Sequence, residues 1–176
     1  ALMHAMKNYF NADDLKFRYP IQVDMEIANS RGAHEDSIRT NLLRQAVQHF
    51  DAAISLDPDY APAYLNKACA LALLGDQVRA YYFADVEARN ASKGVYAGNM
   101  DKVEILLGIL DATAGTADGK VKAMMRFTAA DVTDKSGLAA YNLAVLNNTP
   151  LPAAPADPGS KKFFDDESID GQDLSA

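Results

Sequence analysis

Cysteine is nearly absent. Cys69 stands alone in 176 residues, so an intramolecular disulfide is excluded and no cysteine cluster exists to hold zinc. Histidine is as sparse: His4, His34 and His49 are scattered, with no spacing that sets two imidazoles on one helix face as metal ligands. Long apolar runs are missing too. The longest, residues 68–74, falls far short of the ~18 residues of a transmembrane helix, so membrane insertion is not expected. Basic charge is in deficit, with 17 Lys and Arg against 24 Asp and Glu and a formal net charge of −7. A nucleic-acid partner would need a basic face to displace its counterions, and none is expected here.

Catalytic punctuation is also lacking. No GxSxG elbow, phosphate loop or dinucleotide fingerprint occurs. Cys69, flanked by alanines, reads as a small apolar residue rather than a nucleophile. His49, beside Phe50, reads as a surface or partly packed position. The run His34-Glu35-Asp36 reads as the acidic start of a helix, where carboxylates complement the dipole. The expectation is a protein without enzymatic activity, cofactor or metal. Hydrophobic residues at 49% and charged ones at 23% are ordinary globular usage, which argues against a wholly disordered chain.

Helical periodicity dominates what is there. From Asn41 the stripe Leu43, Ala46, Val47, Phe50, Ala53 and Ile54 recurs every three or four positions. It stops at Asp57-Pro58, because proline disfavours helix in the residue before it. A second stripe, Tyr64, Leu65, Ala68, Leu71 and Ala72, ends at Gly75, which tolerates a left-handed C-cap. Asp76 then caps a helix from 77 to 89. Asn99 or Asp101 caps another through Leu106, Leu107, Leu110 and Ala114. After the breaker AGTADG a helix is expected over 120–130, and after Gly137 a last one over 138–146.

The two ends read differently. Ile21, Val23, Met25 and Ile27 alternate with Gln22, Asp24 and Glu26, a period of two that points to a strand over 21–27, with a short helix as the alternative. Residues 1–40 therefore read as an irregular N-terminal cap and 41–148 as the helical domain. Residues 149–176 read as a proline-rich linker followed by an acidic tail. Over 151–176 six carboxylates face two lysines, so −4 of the net charge lies there. Phe163 and Phe164 sit adjacent in that polar tail and would be costly to leave solvated. Self-association through 21–27 or through this pair is one expectation, and an unstructured tail is the other.

Internal similarity organises the middle. Ala46, Phe50 and Ala53 recur in spacing as Ala123, Phe127 and Ala130. Tyr64 to Ala68, Glu104 to Gly108 and Ala140 to Ala144 each end on a small residue. The helix starts near 61, 101 and 138 lie about 35 to 40 residues apart, close to the length of helix-pair repeats. The segment FDAAISLDPDYAPAYLNKACALALLGD, with its LDP boundary and Tyr64, Ala68, Gly75 and Ala80, resembles the tetratricopeptide repeat family. The resemblance covers about 41–148. It departs from the family pattern at Glu104 and Ala84, where aromatics are usual, and in a longer loop before 120.

That resemblance implies an all-α fold of antiparallel helix pairs stacked as a short right-handed superhelix, about two and a half repeats long. It also implies a protein-interaction scaffold that holds a protein or peptide in a concave groove. On the matched positions the groove would be Leu65, Asn66, Cys69, Ala72 and Leu73, then Tyr141, Asn142 and Val145. Asn66 and Asn142 hold equivalent places, where an amide could bond a bound peptide's backbone. With Lys67 alone nearby and off the expected face, a clamp for a terminal carboxylate is not implied. The alternative is a structural module of a larger multidomain protein, packed against a neighbouring domain with no ligand of its own. The residues do not set a compartment.

Overall fold

A computed structural model describes residues 17–20 and 36–152. The strand reading of 21–27, His4, His34, Glu35 and the Phe163-Phe164 tail lie outside the described residues. Among those described, the chain is all-α: six helices pack together and no strand is present.

Helix α1, Asp36–Leu56, buries Leu43, Ala46 and Phe50, with Val47 and Ile54 packed beside them. It begins ahead of Asn41, a start that the apolar period does not show because the inward residue of the opening turns is Arg39, buried yet polar. The turn after α1 is tied by Asp57, whose carboxylate accepts from the Asp59 N–H at 3.1 Å, and by the Tyr64 hydroxyl, which donates to the Pro58 carbonyl at 2.7 Å.

Helix α2, Ala61–Leu73, carries proline in its first turn and is buried at every residue but Lys67. Lys67 bonds Asp51 of α1 at 2.6 Å and lies 3.9 Å from the centre of the Phe83 ring. The helix closes as a Schellman motif, with the Asp76 N–H on the Leu71 carbonyl and the Gly75 N–H on Ala72. Gly75 takes φ +87° there, a conformation that a side chain would strain.

Helix α3 starts on Asp76, whose carboxylate accepts from the Arg79 N–H at 3.1 Å. It runs unbroken through Gln77–Tyr82, a π-helical stretch Phe83–Ala88 and a last α turn Arg89–Ala91. Ala80, Ala84, Ala88 and Ala91 are its buried residues. A π turn bonds i to i+5 and so holds more residues than the 3.6 of an α turn. Residues four apart therefore stay close to one line along the packed face.

Helix α4, Asn99–Thr113, corrects one expectation: its N-cap is Gly98, which offers no side-chain bond, while Asn99 lies inside the helix and is buried. Helix α5, Ala117–Asp131, starts earlier than 120 because the Thr116 hydroxyl caps it, accepting from the Gly119 N–H at 2.9 Å. The α4–α5 pair approaches closely at one point. A Cβ on Gly108 of α4 would come within 2.6 Å of the Phe127 ring of α5, so only glycine lets that ring lie there.

Helix α6, Leu138–Asn147, follows Gly137 and ends at Asn148, both left-handed. Its first turn is capped from upstream by Asp134, which accepts from the Ala139 N–H at 2.9 Å and from Ser136 through both N–H and hydroxyl. Each helix packs on the next, with α3 leading into α4 through a short 3-10 turn, Gly94–Tyr96. Helix α2 also touches α4, and α4 touches α6. One hydrophobic core runs through all six helices and takes in Tyr19 and Phe17. No helix among the described residues is long and apolar enough to cross a membrane.

Candidate functional site

The residues that the repeat pattern marks for a groove fall into two groups. On α2, Leu65, Asn66, Cys69, Ala72 and Leu73 are all buried and belong to the core or its polar edge. Burial pushes the Cys69 thiol well above its ordinary pKa, which keeps it neutral. On α6, Tyr141 and Val145 are half-buried and Asn142 is 0% exposed.

Asn142 is buried because another piece of the chain covers it. The Arg18 N–H donates to Asn142 Oδ1 at 2.7 Å, and Asn142 Nδ2 donates to the Arg18 carbonyl at 2.9 Å. One amide side chain thus satisfies both polar groups of one backbone residue, as a neighbouring β-strand would. Only an amide does this: a carboxylate lacks the donor and an aliphatic lacks both.

Three contacts flank that bond. The Phe17 ring lies 6.1 Å from the Phe127 ring, tilted by 37°, a favourable aromatic geometry. The Arg18 guanidinium sits 5.4 Å from the centre of the Tyr141 ring, within cation–π range. Tyr19 and Pro20 are buried. Phe127 is held from behind by Gly108, so the tightness of the α4–α5 pair fixes the ring that meets Phe17.

A second polar cluster crosses α3, α4 and α5. Glu104 accepts from Arg89 at 2.7 Å and from Arg126 at 2.9 Å. Arg126 also bonds Asp111 at 2.7 Å and the Tyr81 hydroxyl at 3.0 Å. Burial opposes the charge of Arg126, but the hydrogen bonds to Asp111 and Glu104 outweigh it and raise its pKa. Glu104 stands where the repeat pattern carries an aromatic, and its place is taken by this cross-helix ion network. Its guanidinium and carboxylate groups are spent on one another, so it braces the stack.

Among the described residues no group of three or more His, Cys, Asp or Glu is placed to hold a metal ion. His49 is exposed on α1. Sequence reasoning singles out Tyr141 and Asn142 but misses Arg18, which meets both, and the neighbouring Phe17–Phe127 contact. The signal present is the compact run Phe17-Arg18-Tyr19-Pro20, two aromatics around a cation before a proline. Compared with known protein families, with curated proteins and with solved structures, the chain matches none.

Proposed function

We propose that this chain is a non-catalytic interaction module of tetratricopeptide type, which holds extended segments of protein against α6. The Asn142 amide bonded to both backbone groups of Arg18 carries this reading. Such a bond recognises a chain by its backbone, and peptide-binding surfaces of helical repeats work on that basis. Supporting it, the helices pair through short turns, and α2, α4 and α6 touch in succession as the first helices of stacked repeats would. Ala46, Phe50, Ala123, Phe127 and Ala130, the small and aromatic positions of the pattern, are buried.

A photo-crosslinking residue in place of half-buried Val145 tests it in a lysate of the source cell. The expected result is a discrete adduct whose partner peptide maps to an extended segment, and which weakens with Asn142→Asp in a chain that still melts cooperatively. Absence of any adduct would move weight to a second reading, a structural module without a ligand. The burial of Leu65, Asn66, Cys69 and Leu73 favours that second reading, since the α2 side offers no open groove.

A further inference from the structure

We infer that residues 17–20 are an internal ligand, and that an external partner carrying the same order of groups, aromatic, cation, aromatic and proline in extended backbone, binds this site by displacing them. The inference rests on the reading of the α5–α6 face as a peptide-holding surface and names what that surface selects.

Each position of the occupant meets a distinct group. Phe127 presents a ring to the first aromatic. Tyr141 presents a ring face to the cation of the second residue, and Asn142 fixes that residue's backbone irrespective of its side chain. The third and fourth residues are desolvated, as Tyr19 and Pro20 are, which selects apolar bulk and a residue with no backbone N–H to satisfy. Without the cation Tyr141 loses its partner, and without the extended backbone Asn142 is left buried and unsatisfied. Specificity therefore comes from penalties on the wrong segment as well as from contacts with the right one.

Tethering makes the internal segment a competitor. A free peptide meets a site that is filled for most of the time, and its apparent affinity is lowered by the fraction of molecules in which the site is vacant. The same contacts that define the partner thus hold it off until it is abundant or offers further contacts on the stack.

The test uses a fluorescent peptide with the sequence of residues 14–22, DLKFRYPIQ, titrated by anisotropy into the full chain and into Arg18→Pro. Proline removes the N–H that Asn142 accepts and the cation over Tyr141, and leaves Phe17 and Tyr19 in place. The expected result is binding at least about ten-fold tighter to Arg18→Pro than to the unmodified chain. That gain should be lost when the peptide carries proline for its own arginine, or when Asn142→Asp is added to the protein. Should Arg18→Pro fail to fold, Arg18→Ala keeps the N–H and drops only the cation, and about three-fold tighter binding is expected. Equal affinity for the unmodified and released chains, both folded, would overturn the inference and make 17–20 a fixed strap. Panning both chains against a random-peptide library separates the two levels. Enriched peptides that lack the aromatic–cation order yet depend on Asn142 would sink this inference and leave peptide binding standing. No enrichment on either chain would sink both.

Discussion

The α2–α3 and α4–α5 pairs meet the same packing problem with opposite residues. In α4–α5 the second helix carries Phe127 and the first gives up a Cβ at Gly108 to receive it. In α2–α3 the position at the same place in the sequence spacing is Ala84, and the buried residues of α3 are alanines alone. There the aromatic has moved by one residue to Phe83, at the start of the π-helical stretch, where its ring is half-buried at the edge of the core and lies against Lys67. One pair is closed by a ring in a hole and the other by small residues on one line. The difference bears on where the chain holds another segment, because it is the ring in α5 that meets Phe17.

The largest way to break this comparison is Phe127→Ala. A fully buried ring lost from a core costs about 3–5 kcal/mol, and here Phe17 loses its partner as well. Chemical denaturation should show the loss, and hydrogen exchange should show faster opening of α6 with it. A loss under about 1 kcal/mol would mean that Gly108 and its neighbours close over the gap. The reverse substitution, Ala84→Phe, puts a ring where none has room, since Ala84 is completely buried. Overpacking of this kind costs about 1–3 kcal/mol. A neutral or stabilising outcome would show that the π-helical stretch can rewind and admit the ring.

Much of this fold is legible in the sequence, for identifiable reasons. Helices α2, α3 and α6 are bounded by Pro58, Gly75, Asp76 and Gly137, residues whose backbone preferences act locally, and their limits lie close to those expected. The start of α1 is obscured by buried Arg39, and the start of α5 by Ala117, Asp118 and Gly119, which look like a continued breaker until Thr116 is seen to cap them. Asn142 can be picked by its equivalence with Asn66. Its partner cannot, because the Arg18–Asn142 pair spans 124 positions in the chain, and no local pattern carries a pairing of that length.

Glu104 marks the brace between the two pairs, since it joins Arg89 of α3 to Arg126 of α5. Glu104→Gln keeps the shape and removes the charge that both guanidiniums share. Because these side chains are part-exposed, solvent offsets much of the lost attraction, and a destabilisation of about 1–2 kcal/mol is expected. A double-mutant cycle with Arg126→Gln should return a coupling of the same sign. Strict additivity would show that each charge acts alone.

The smallest effect sharpens the comparison at the helix caps. Asp76 heads α3 with two donors, both from Arg79, whereas Asp134 heads α6 with three, the Ala139 N–H and the N–H and hydroxyl of Ser136. Hydrogen bonds from Arg79 lower the pKa of Asp76. For Asp134 burial works the other way, yet the bonds from Ala139 and Ser136 prevail and lower it as well. A carboxylate whose folded pKa lies below its unfolded one contributes stability that is present above the unfolded value, near 3.8, and is lost as pH falls through the folded value. Asp134→Ala should therefore lower stability by about 1 kcal/mol at neutral pH, a shift of roughly 2–4 °C in melting temperature for a chain of this size. The gap to the unmodified chain should narrow steadily below about pH 4. Asp134 is only half-buried, which keeps the effect at the low end of caps. If the gap instead stays constant from about pH 7 to about pH 3, the contribution of residue 134 is steric, set by the turn that precedes α6, and the carboxylate is not what fastens the helix bearing Asn142 to the stack.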